Sequence, residues 1–173
     1  MLKKNIVLIG MMGAGKTTIG YGLSRKLNYH FVDIDVKIEK SENEKITNIF
    51  QNKGESYFRK IEEKITLSCL DKTKSVISIG GGAFLNSKIR KKINKYSHSF
   101  WLNWKIKTIL IRIKKNIRRP LALQLNKKEM ANLYRKRVKI YKLSDFKINC
   151  ENKSKNEIIN EITKIVKNES FTY

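Results

Sequence analysis

The run Asn5–Ile9 (NIVLI) is apolar almost throughout, without the polar alternation of a half-exposed strand. That pattern predicts a strand buried on both faces of a parallel sheet. From Lys16 the periodicity becomes helical and predicts a helix over Lys16–Leu27, followed by a short strand at His30–Val32. Helical spacing returns over Val36–Glu42, over Ile46–Asn52 and over a longer segment from Glu55 to Leu70. In that segment Phe58, Ile61, Ile65 and Cys69 form the expected buried stripe. Further strands are predicted at Ser75–Ile79, Ser99–Leu102 and Phe146–Ile148, with helices over Asn86–Lys95, Lys105–Lys115 and Lys128–Lys142. A last helix starts at Ser154, where Ser154 and Glu157 have the spacing of a capping box, and runs to about Lys167.

Strands and helices therefore alternate along the chain. Alternation of this kind predicts an α/β fold, a parallel sheet with helices on both faces. At 173 residues, with no repeat or linker, the chain fits a single domain, 1–173. Its one long connection lies at about residues 116–127, between core segments 1–115 and 128–173, and is the expected mobile lid. No apolar run approaches the ~18 residues of a membrane span. The apolar N-terminal stretch is too short for a signal peptide and leads into a lysine-bearing loop. Cys69 and Cys150 show no metal-ligand spacing and are expected as reduced thiols of a cytoplasmic protein.

The formal net charge is +23. Basic residues are scattered, without a block or interleaved aromatics, so the charge is read as a lysine-rich solvated surface rather than a nucleic-acid footprint. The excess of lysine gives scarcer residues more weight. Arginine occurs eight times, proline once (Pro120) and aspartate four times, at Asp33, Asp35, Asp71 and Asp145.

Candidate chemistry begins at GMMGAGKT, Gly10–Thr17, which matches G-x-x-x-x-G-K-[ST] between a buried strand and a helix. Backbone N–H groups of Gly13, Ala14, Gly15 and Lys16 are expected around a β-phosphate at the helix N-terminus. Lys16 is expected to bridge β- and γ-phosphates, and the Thr17 hydroxyl to bind Mg²⁺. A second group is FVDID, residues 31–35, where strand alternation would aim Asp33 and Asp35 to one side at the carboxyl end of the sheet. Arg59 stands three positions before Glu62, the spacing of an exposed ion pair on a helix. Gly80, Gly81 and Gly82 follow the third strand. A tight turn explains one glycine; three imply a backbone that something approaches closely.

These motifs together resemble shikimate kinase. GMMGAGKTTIG, DID, FRKIEE, IGGGA, RRPL and LYRKRVKIY stand in that family's order and spacing from about residue 5 to residue 145. The resemblance implies a three-layer P-loop kinase fold with a five-stranded parallel sheet in the order 2-3-1-4-5. It implies ATP-dependent phosphorylation of the shikimate 3-hydroxyl, with Mg²⁺ as cofactor. Residue by residue, it implies Lys16, Asp35 and Arg119 as catalytic. Gly13–Thr18, including Thr18, would bind ATP together with Arg112 against adenine and Arg119 from the lid. Asp35, Arg59, Gly80, Gly81, Gly82 and Arg137 would bind shikimate, the two arginines on its carboxylate. Thr17 would hold Mg²⁺ directly and Asp33 through water. The chain departs from the family at Lys139, where a proline is common, and at INCENKS, where the adenine-side loop usually carries one. Arg137 is aligned because Tyr141 follows at the family's distance, with Arg135 as the alternative. The expected protein is a cytoplasmic monomer acting on ATP and shikimate, without nucleic-acid or membrane partners. Rival readings are a gluconate-type kinase and a basic nucleic-acid-associated NTPase.

Overall fold

A computed structural model describes residues 5–114 and 126–170. Arg119, and the expected lid apart from residues 126 and 127, lie outside the described residues. Five strands, β1 (Asn5–Ile9), β2 (His30–Asp33), β3 (Ser75–Ser78), β4 (Ser97–Asn103) and β5 (Phe146–Asn149), form one sheet in the order β2-β3-β1-β4-β5. Every pairing is parallel. Each residue of β1 is buried, as its unbroken apolar pattern requires of a central strand covered on both faces. The helices are α1 (Lys16–Leu27), α2 (Ile34–Glu42), α3 (Ile46–Leu70), α4 (Ser87–Tyr96), α5 (Ile106–Lys114), α6 (Lys127–Tyr141) and α7 (Lys155–Ser170).

The strand order divides the helices between the two faces. The β1–β2 connection runs across the sheet in the opposite sense to the β2–β3, β3–β4 and β4–β5 connections. With right-handed crossovers, α1 falls on one face and the later crossover helices on the other. α7 packs on α1, and α3 packs on α4, in keeping with that division. The reversal occurs between β1 and β3, the switch point at which open α/β sheets bind ligands at their carboxyl ends.

Local chemistry sets the boundaries. Asn126 and Glu129 form a capping box on α6, and Ser154 and Glu157 exchange the two capping bonds before α7. The helical path of α3 breaks at Gly54 (φ 79°, ψ 169°), which separates the two helical segments predicted there. β4 begins at Ser97, two residues earlier than predicted, and Ser97 pairs with Asn5. Two of the four aspartates hold the scaffold together. Asp145 accepts from the Ser99 N–H and hydroxyl at 2.9 and 3.0 Å, and Asp71 pairs with Lys92 at 2.6 Å.

Two expectations need correction. The predicted stripe on α3 was Phe58, Ile61, Ile65 and Cys69, but the buried line runs Phe58, Glu62, Thr66, Cys69. Ile61 and Ile65 are only partly buried. Both still pack against the core, beside a buried line that also carries the Glu62 carboxylate. Similarly, Asp33 and Asp35 do not share a strand face. β2 ends at Asp33, whose carboxylate accepts from the Asp35 and Val36 N–H groups at 3.0 and 3.4 Å and starts α2. Asp35 therefore occupies the first turn of a helix.

Candidate active site

The loop after β1 is built by glycine geometry. Ala14 N–H closes a turn on Met11 O at 3.1 Å. Gly13 (φ 78°) and Gly15 (φ 86°) take left-handed conformations that a side chain would strain. Gly15 is the N-cap of α1, and no side chain caps that helix. The first-turn N–H groups and the positive end of the helix dipole are thus available to an anion. Lys16 is buried, with its ammonium donating to Gly10 O and Met11 O at 2.9 and 3.0 Å. The Thr17 hydroxyl donates to Asp33 Oδ2 at 2.7 Å.

This loop forms one wall of a cleft of about 280 Å³ that also includes Asp33, Asp35, Ser78, Ile79 and Arg112. The two aspartates thus reach the same space from a strand end and a helix start. No group of three or more His, Cys, Asp or Glu residues able to hold a metal occurs among the described residues. The neighbouring hydroxyl and carboxylate of Thr17 and Asp33 are hard oxygen donors. They suit Mg²⁺, which keeps several waters and takes one or two protein ligands beside phosphate oxygens.

The three glycines after β3 meet four charged side chains between them. A Cβ on Gly82 would stand 2.7–3.0 Å from the Arg59 guanidinium. One on Gly81 would stand 3.0 Å from Arg137 Nη1 and 3.4 Å from Gly10 O, and one on Gly80 would run into Glu62 Oε1 and stand 3.3 Å from Asp35 Oδ1. None of the three has a positive φ, so the requirement is space rather than backbone conformation. Tyr141 hydroxyl donates to Gly81 O and fixes the segment from below. Burial pushes its phenol up to about 12, which keeps the donor protonated.

Arg137 is buried, and its Nε has no hydrogen-bond partner among the described residues. Its Nη1 meets the Met11 sulfur at 3.9 Å, and its charge acts on the Tyr141 phenol and the Glu62 carboxyl. A buried guanidinium with an unfilled N–H is costly unless an acceptor completes it. Arg135, the alternative, is exposed and bonds Asn132 at 2.9 Å. Arg59 is held by Glu62 at 2.7 Å and Glu55 at 3.0 Å and lies over the Phe58 ring.

Glu62 is the residue that reading the sequence missed. Its spacing to Arg59 resembles a surface pair, which contributes about 0.2–1 kcal/mol. Here the Glu62 side chain is only 3% exposed, and Oε1 has no partner among the described residues. Burial raises its carboxyl above the usual range, Arg59 opposes that shift, and the Asp35 charge adds to it. The available signal was its place four residues after Phe58, on the stripe that packing buries.

A carboxyl with a raised folded pKa binds more protons folded than unfolded. Its contribution to stability therefore falls as pH rises from the unfolded value through the folded one. Glu62→Gln removes that loss, so its Tm relative to the parent should rise between about pH 4 and neutral. Melting curves across that range check this; a constant Tm difference would remove the raised carboxyl from the site.

The family model for shikimate kinase matches residues 12–167. A shikimate kinase of Persephonella marina is 43% identical over 159 residues, covering 92% of this chain and 96% of the relative. The structure of shikimate kinase from Acinetobacter baumannii in complex with shikimate superimposes with a TM-score of 0.88 at 28% identity, covering 94% of this chain and 92% of that one. That of shikimate kinase from Aquifex aeolicus gives 0.86 at 36% identity, covering 96% and 98%.

Proposed function

The chain belongs to the shikimate kinase family, and from that premise we propose how its residues share the transfer of the ATP γ-phosphoryl group to the shikimate 3-hydroxyl. The observation that carries the assignment is the convergence of Asp35, Arg59 and Arg137 on Gly80–Gly82, beside the phosphate loop. A carboxylate and two guanidiniums match an acceptor bearing hydroxyls and a carboxylate. Arginine grips a carboxylate with a two-pronged fork that lysine lacks.

In this reading, Gly13–Thr18 cradle the phosphates, and the Lys16 ammonium exchanges its backbone acceptors for β- and γ-phosphate oxygens. Thr17 would hold Mg²⁺, with Asp33 acting through water, and the bound ion would neutralise phosphate charge. Asp35 accepts a hydrogen bond from the attacking hydroxyl and takes its proton as the new P–O bond forms and the bond from the γ-phosphorus to the bridging oxygen breaks, releasing ADP. Arg59 and Arg137 bind the shikimate carboxylate, and Glu62 holds Arg59 in place. Arg119, outside the described residues, adds positive charge at the phosphates. Catalysis is then positioning and charge neutralisation. The working state is a cytoplasmic monomer, and no helix among the described residues is long and apolar enough to cross a membrane.

The deciding assay is ADP release with ATP plus shikimate, with ATP plus gluconate and with ATP alone. Release should require shikimate; gluconate-driven release would assign a different acceptor. Gly81→Ala tests the glycine floor. Its methyl would press on Arg137 and on the phosphate loop, so kcat/KM for shikimate should fall at least tenfold while Tm moves by only a few degrees. A large loss of Tm with intact turnover would make the glycines a folding feature.

A further inference from the structure

The cleft contains one arrangement that the phosphate and acceptor chemistry leaves unused. The Arg112 guanidinium carbon lies 3.5 Å from the centroid of the Trp104 ring. That is van der Waals contact, and the indole is almost wholly covered, at 6% exposure. Trp104 is fixed by two hydrogen bonds, one from the ring and one at its backbone. Its Nε1–H donates to Ala14 O of the phosphate loop at 3.0 Å, and its backbone carbonyl accepts from the Tyr134 hydroxyl at 2.9 Å. The Arg112 stem sits beside the same loop, with Cβ 3.6 Å from the position of a Cβ on Gly13.

A guanidinium is planar and has two faces. One held against a fixed aromatic ring keeps an ordered plane, and a nucleobase can stack on the other face. Arg112 lines the cleft beside Gly13, Gly15 and Lys16, and none of the described residues lining it is aromatic. Among the described lining residues, Arg112 is the one that offers a planar face to a base.

We propose that Trp104 is the positioning residue of the nucleobase site. It holds Arg112 as the middle tier of an indole–guanidinium–base stack and ties that tier to the phosphate loop through Ala14. The proposal rests on the reading of the cleft as the ATP site. A role in core packing alone would support the phosphate loop equally for ligands with and without a base, and that difference is measurable.

The experiment is calorimetric titration of the full chain with ADP and, separately, with inorganic pyrophosphate. Trp104→Leu removes the ring and should weaken ADP about tenfold while leaving pyrophosphate within about twofold. Trp104→Phe keeps a ring but loses the bond to Ala14, and should stay within about threefold of the parent for ADP. Arg112→Gln should weaken ADP as much as Trp104→Leu, and combining the two should add nothing further. Unchanged ADP affinity in Trp104→Leu, equal loss for both ligands, or additive losses in the double variant would each overturn the proposal. A parent that bound neither ligand would instead overturn the nucleotide reading, and this proposal with it.

The chain has two tryptophans, so Trp101→Phe isolates Trp104 as a fluorophore. ADP should shift its emission, and the shift should vanish when Arg112→Gln is added. This arm decides the matter if Trp104→Leu does not fold: emission unmoved by bound ADP would overturn the stack.

Discussion

Lys16→Ala should lower kcat by about three orders of magnitude while leaving the fold intact. The ammonium is buried at the mouth of the phosphate loop and donates to the main-chain oxygens of Gly10 and Met11. On the proposed reading of the loop, that charge lies where phosphate charge would develop during transfer. Removing one preorganised donor from such a position costs about 10²–10³-fold, and a full positive charge lies at the upper end. Steady-state turnover with saturating ATP and shikimate measures this, with a melting curve as control. Retention of most activity would end the assignment of the loop as the ATP cradle.

Arg137→Ala should raise KM for shikimate about a hundredfold and leave KM for ATP within about threefold. Arg137 is buried against Gly81, and its Nε has no hydrogen-bond partner among the described residues. In the proposed site the shikimate carboxylate would accept from that fork. Arg135→Ala, on the exposed side of α6, should leave both constants unchanged. Equal increases in both constants for Arg137→Ala would move the residue out of the acceptor site. Because Arg59 remains in place, held by Glu55 and Glu62, the loss should be partial. Initial-rate measurements at varied shikimate and fixed ATP, and the reverse, separate these outcomes.

The basic surface bears on association with both substrates. A net charge of +23 attracts anions over a distance of about one Debye length, about 8 Å at physiological ionic strength. It adds no specificity, which in the proposed site the arginine forks and the glycine floor would provide at contact distance.

The sequence by itself determined the element order, because period-2 and period-3.6 patterns are local and Asn5–Ile9 leaves no polar position for solvent. It determined the phosphate loop for the same reason: Gly10–Thr17 is contiguous, so its geometry follows from one stretch of chain. It also marked Gly80–Gly82 as a place of close approach. Only the tertiary structure decided what approaches. Arg59, Arg137, Asp35 and Glu62 come from three helices and meet the glycines across separations that no pattern encodes. Alternation placed Asp33 and Asp35 on one strand face, and the Asp33 cap overruled it by starting α2 at once. Glu62 looked like half of a surface pair, and packing buried it among charges from elsewhere in the chain. The contact between Trp104 and Arg112 likewise arises from the folding back of α5 on the phosphate loop. Periodicity reports how a segment prefers to lie. Burial and charge at a site depend on which segments meet, and that is set by the order of strands in the sheet.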